Sequence, residues 1–408
     1  MTAPPGLDFR RESARMLAAL TRILGMQNLT LAEDVVQDVL CRALEVWKYH
    51  APPDNPIAWL LKAARNRAID LIRAERTRRK FAPDLQLGSE WTLAPTVTAL
   101  FGESEIEDDL LRMMFSCCSP NLAPQAQMAL VLKLLCGFGT GEIAAALLTS
   151  EAAVEKQIAR GKRALMRAGG LYQVEGRAQI EKRLEAVQHA LYLLFSEGYH
   201  GSRELVRAEL CVEAMRLCFL LAEHQACKTP RTFALAALMC FHAARLEGRA
   251  AGDGTLLLLG EQDRSRWDRR LIQRGFDLLD RSAEGDQITD YHLEAGIAAE
   301  HCAAPSLRET NWQRILQLYD LLLALRPSPV VALNRAIAIG EVRGPEEALA
   351  ALPQGLPGYP FLAAAAGRFH LKAGRRAEAA RSFAQARALA RNAAEEKLFD
   401  GLARDAQA

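Results

Sequence analysis

Residues 140–167 read TGEIAAALLTSEAAVEKQIARGKRALMR, and the way this stretch divides its side chains decides the fold class. After Ser150, the residues Val154, Ile158, Gly161 and Leu165 recur at intervals of four, three and four, the spacing of one buried helix face. Lys156, Arg160, Arg163 and Arg167 recur at the same intervals two residues later. Two residues are about 200° of helix, so the basic stripe lies opposite the apolar one. Thr140 to Leu148 is a short alanine-rich helix with Thr140 placed to cap it, and Ser150 is placed to cap the longer one. A short helix, a tight turn and a helix with one buried and one basic face make the design of a helix-turn-helix, which offers its basic face to DNA. The plain alternative is a solvated charged face on a helical hairpin.

The same division recurs upstream. Thr30 with Glu33 reads as a capping box opening a helix from Leu31 to about Lys48, and Pro56 after the loop at 49–55 starts another that runs to about Lys80. Along the second, Leu60, Ala64, Ala68 and Leu71 form an apolar stripe. Lys62, Asn66, Arg73, Arg76 and Lys80 lie away from it, with Arg65, Arg67, Arg78 and Arg79 alongside. Guanidinium groups at that density suit phosphate contacts, and Asn66 suits a base edge. Trp47 reads as core, and Trp59 as either core or a platform for an unpaired base. Residues 81–104 lose periodicity and hold Pro83, Gly88, Pro95 and Gly102, the mark of a linker. Helical pattern returns from Glu105, with Pro124 opening a helix to Cys136, and Gly169 and Gly170 ending the basic one.

From about Val174 the pattern is again helical almost throughout. Ala336 precedes Ala348 by twelve positions, as Gly367 precedes Ala379, and Gly344 is echoed by Gly374, a weak repeat of the tetratricopeptide type. Glu261 to Arg270 around Trp267 reads as an ion-pair network inside that array, or as a surface for an unknown ligand or protein partner. Gly137 to Gly141 lacks the spacing of a phosphate loop and reads as a turn. Cys117, Cys118 and Cys136 read as small buried hydrophobes, and His242 and His301 as core or surface residues.

Composition agrees with an all-α chain. Half of the 408 residues are apolar, a quarter are charged, and only 6% are aromatic. Fifty-one basic residues against 49 acidic ones give a net charge of +2, so any polyanionic partner is met by local clusters. The N-terminal stretch lacks the apolar run of a signal peptide, no segment has the length of a membrane span, and nine cysteines without framework spacing read as reduced thiols. These features lead to the expectation of a cytoplasmic protein with no membrane, metal or cofactor requirement.

Ala32 to Asp38 followed by Trp47, then Asn55 to Leu60 with Asn66, Asp70 and Arg73, resembles region two of bacterial RNA polymerase sigma factors of the extracytoplasmic-function type. Glu142 to Ala144, Val154 and Arg160 to Leu165 resemble their region four. Leu193 to Tyr199, Glu261 to Asp268 and Arg326 to Ala336 resemble a subgroup with a tetratricopeptide-like C-terminal extension. The resemblance implies an all-α fold with region two at 7–80, a linker at 81–104, region four at 105–171 and a regulatory array at 175–408. It implies that Asp34, Gln37 and Asp38 face core RNA polymerase and that the loop from Lys48 to Asn55, with Asn66, engages the melted minus-ten element of promoter DNA. The helix from Ser150 to Arg167 would enter the major groove at the minus-thirty-five element. Many relatives carry Ser-Arg in place of Lys156-Gln157 and Ala in place of Gly161.

Two other classes compete with a sigma factor. An activator working on an assembled holoenzyme has no need of the second basic helix or of an acidic helix ahead of it. An enzyme within residues 175–408 has no nucleophile–base pair, ligand cluster or cofactor loop to support it.

Overall fold

The computed structural model describes residues 9–81, 103–119, 121–147, 149–168, 177–200, 208–249, 251 and 255–407. The expected linker at 81–104 falls almost wholly outside them. Among the described residues the regular elements are helices, and none is long and apolar enough to cross a membrane. The chain forms two compact units, Met1–Ala190 and Leu191–Ala408.

The first unit holds α1 (Phe9–Leu24), α2 (Leu29–Tyr49), α3 (Pro56–Phe81), α4 (Glu103–Cys117), α5 (Pro124–Leu130), α6 (Thr140–Ala146), α7 (Glu151–Ala168) and the start of α8 (Arg177–His200). Pro56 is the first residue of α3, and Asn55 before it accepts the Ala58 amide on Oδ1 at 3.0 Å, so loop and helix start are set by local chemistry. Leu60, Ala64 and Ala68 are fully buried, as their spacing predicts. The helix opening at Pro124 departs from expectation at its end: after Leu130 the chain takes one wide π-type turn, Val131–Leu135. Arg183 on α8 donates to the Phe115 carbonyl at 3.1 Å, tying α8 to α4. Cys117 and Cys118 are buried there, and burial pushes both thiols up, Cys118 to about 12, so they pack as small apolar groups.

Two local capping expectations are corrected. Helix α2 begins at Leu29, two residues before the expected Leu31, and its N-cap Asn28 makes no side-chain cap bond, its amide turning back to Leu24 O at 2.7 Å. Glu33 is then left to pair elsewhere. At α6, Gly139 occupies the cap position: its amide donates to Glu142 Oε2 at 2.8 Å while its carbonyl accepts from Ile143. Thr140 is already inside the helix.

The second unit continues α8 and adds α9 (Ala208–Glu223), α10 (Pro230–Ala243), α11 (Arg269–Ser282), α12 (Asp290–Ala303), α13 (Trp312–Leu325), α14 (Pro329–Val342), α15 (Pro345–Ala350), α16 (Pro360–Lys372), α17 (Arg376–Ala388) and α18 (Ala393–Gln407). Helix α10 is buried on nearly every side, wrapped by α9, α11 and α12. From α13 onward consecutive helices pack as neighbours. The repeated small residues are where helices cross: Ala336, Ala348 and Ala379 have no exposed surface, and a Cβ on Gly367 would stand 2.6 Å from the Phe383 ring. Gly344 and Gly374 turn the chain between helices at φ +99° and +76°, a region other residues enter at a cost.

Around Trp267, expected as an ion-pair network, the structure uses arginine differently. Trp267 is buried, with Arg245 at 5.2 Å and Arg264 at 4.7 Å from its ring. Arg264 donates to the carbonyls of His301 and Ala304 at the end of α12, and Arg249 donates to Tyr199 O near the end of α8. A helix C-terminus carries partial negative charge, so it takes the place of a carboxylate. The acids of the segment are spent on backbone amides: Glu261 on Leu258, Asp263 on Ser265, Asp268 on Arg270 and Leu271.

His301 lies beside this cluster, and its pKa is pushed down to about 3 by burial and then by the charges of Arg245 and Arg264. It is neutral in the fold and binds a proton in the unfolded chain below about pH 6.5. Stability is therefore fully present above that pH and falls as the pH drops toward 3, at up to about 1.4 kcal/mol per pH unit. Urea unfolding between about pH 6.5 and 4.5 should show a shallower loss for His301→Phe than for the parent; equal slopes would remove His301 as the cause.

Candidate nucleic-acid interface

Helix α7 presents the two faces expected of it. Val154, Ile158, Gly161 and Leu165 are buried, and Lys156, Arg160, Arg163 and Arg167 are exposed. Ser150 caps the helix through the Ala153 amide at 3.3 Å. At Gly161 the Leu130 side chain of α5 fills the space beside the backbone: a Cβ at 161 would meet Leu130 Cδ1 at 2.6 Å. Gln157, one residue from the basic stripe, is half-buried.

On α3, Lys62, Asn66 and Arg73 are exposed and Arg65 is half-buried. Arg73 lies 3.8 Å from Asp70, an exposed pair of little energetic weight. The side chains of Arg76 and Lys80 lie outside the described residues. Asp34, Gln37 and Asp38 are exposed on one stripe of α2 that Cys41 and Glu45 extend, and Asp38 reaches Arg67 at 3.5 Å. The basic residues thus occupy two helices, α3 and α7.

Neither tryptophan is an open platform. Trp47 packs on Trp59 at 5.5 Å and on Phe9 at 6.2 Å. Among the described residues Tyr49 faces solvent, 76% exposed at the end of α2, with Lys48 Nζ 5.3 Å from its ring. Helical phase signals it: Val39 and Ala43 are buried, Trp47 continues their stripe, and Tyr49 lies two residues off it.

A second set of residues, with no local sequence signal, clasps α1 and α2 to the helix-turn-helix and to α4. Lys162 Nζ is 2.6 Å from both carboxylate oxygens of Glu33. Arg10 pairs with Glu142 at 3.0 Å and lies over the Phe138 ring, while Gly137, at φ +68°, lets the chain pass close to the Arg10 side chain. Arg22 reaches Asp109, whose side chain is fully buried, at 2.9 Å. These partners lie more than 80 positions apart in the chain, and no local pattern announces them.

Comparison with known proteins places this geometry. Residues 9–78 match the model for sigma-70 region 2, and residues 112–165 match that for sigma-70 region 4. Residues 183–283 match a family of unknown function, DUF6596. An uncharacterized protein of Rhizobium meliloti (strain 1021) is 35% identical over 400 residues, spanning 97% of this chain and 94% of its own length. No solved structure matches the chain.

Two measurements test the site's construction. A double-mutant cycle of Glu33→Gln and Lys162→Met should give a coupling of about 1 kcal/mol that shrinks in high salt; a coupling of zero would make the clasp a contact without energy. Gly161→Val should lower unfolding stability by about 1–3 kcal/mol through overpacking against Leu130.

Proposed function

The chain belongs to the sigma-70 family of RNA polymerase sigma factors, and from its geometry we propose how its two DNA-facing helices divide promoter recognition and opening. The observation that carries the reading is the exposed basic face of α7, set opposite the stripe that docks the helix. In this reading α7 enters the major groove at the minus-thirty-five element, with Lys156, Arg160, Arg163 and Arg167 on phosphates and base edges. The loop from Lys48 to Asn55 and the α3 residues Lys62, Arg65, Asn66, Arg73, Arg76 and Lys80 take the minus-ten element. Asp34, Gln37 and Asp38 form the surface for core RNA polymerase.

No bond is made or broken by this chain in such a role. The basic faces supply salt-dependent affinity, and attachment to the polymerase holds both readers on one DNA molecule, raising their effective concentration. Opening is driven by capture of unstacked bases, which offsets a few kcal/mol of stacking. Tyr49, exposed beside that loop, is the side chain suited to receive one. The helix pairs from α13 onward support reading the second unit as a tetratricopeptide-like array that modulates initiation, in a sigma factor of the extracytoplasmic-function type.

Run-off transcription from the gene's own upstream region, with purified core polymerase and the full chain, tests the proposal. Transcript without any other sigma factor is the expected result; transcript only after a second sigma factor is added would favour the activator. Tyr49→Ala and Asn66→Ala should each lower open-complex formation by about 5- to 100-fold, the equivalent of 1–3 kcal/mol per stacked or hydrogen-bonded base. They should leave binding to core polymerase unchanged.

A further inference from the structure

Residues 264–274, RSRWDRRLIQR, set five arginines against one aspartate. Arg264 is turned inward to the end of α12. Arg266, Arg269, Arg270 and Arg274 are exposed. Among the described residues no carboxylate lies within ion-pair distance of these four. Asp268 is held by the amides of Arg270 and Leu271 at 2.8 and 3.1 Å, and Asp263 by that of Ser265 at 2.9 Å. Arg274 is laid flat, its guanidinium carbon 3.6 Å from the centre of the Phe219 ring.

Several other arginines of the second unit are matched with acids. Arg335 pairs with Asp320 at 2.6 Å, Arg387 with Asp400 at 2.7 Å, and Arg391 with Glu395 at 2.5 Å. The position of the unpaired set is also wrong for stability. Arg269 and Arg270 are the first two residues of α11, where the helix dipole disfavours cations, while Asp277 and Asp280 sit toward its other end. An anion docked at the helix start would meet the arginines and the dipole together.

We propose that Arg266, Arg269, Arg270 and Arg274 form a surface on the second unit that binds the phosphate backbone of duplex DNA. The contact carries no sequence information, so it adds affinity without altering which promoter is chosen. It does not depend on the roles assigned to α3 and α7.

The test uses the full chain, without polymerase, on a fluorescent duplex of unrelated sequence titrated between about 50 and 200 mM salt. The variant Arg266→Gln/Arg269→Gln/Arg270→Gln should flatten the slope of log affinity against log salt by about 2 to 3, and weaken binding at the lowest salt at least about tenfold. A control, Arg343→Gln/Arg375→Gln/Arg381→Gln, removes the same charge from arginines already paired with acids and should leave the slope alone. The α11 variant should melt no lower than the parent, and Arg→Lys at the same three positions should restore the slope. An unchanged slope in the α11 variant, or equal losses in variant and control, would overturn the proposal. If Lys156→Gln/Arg160→Gln then removes all binding, the α7 reading stands while this one falls.

Discussion

The first unit depends on one close approach. Leu130 on α5 fills the space where a side chain at position 161 would stand, which fixes both the depth and the rotation of α7. Rotation is what matters: the buried stripe through Val154, Ile158, Gly161 and Leu165 points the basic stripe outward because the two are separated by about 200° of helix. A larger residue at 161 would press on the Leu130 side chain, which must then shift or the two helices part.

Much of this was legible in the residues. A buried face repeats every three or four positions, so the stripes of α3 and α7 could be read before any packing was known. The points of failure have a common physical source. Thr30 and Glu33 satisfy the spacing of a capping box, but Glu33 forms a stronger interaction with Lys162, 129 positions away in the chain. Residues 261–270 set four arginines beside three acids, a composition that reads as an ion-pair network or as a surface for a ligand or partner. In the fold the acids are consumed by backbone amides, and the arginines go to helix ends and to Trp267. Pattern reading assigns charge to a face but does not reveal which backbone group will claim it.

The candidate site shows the same boundary. Lys156, Arg160, Arg163, Arg167, Lys62 and Asn66 were found from periodicity and are exposed. Trp47 and Trp59 pack on each other, and it is Tyr49 that is left facing solvent. An aromatic stack of that kind needs both helices in place, and only the three-dimensional packing of α2 against α3 reveals it.

The pair Glu33–Lys162 joins a helix with an acidic outer face to one with a basic outer face. Any ligand that favours the parted arrangement of this pair on one helix lowers the work left for a ligand on the other, and the exchange is equal in both directions. If α2 and α7 each take a ligand, a single carboxylate and a single ammonium group are enough to couple the two events.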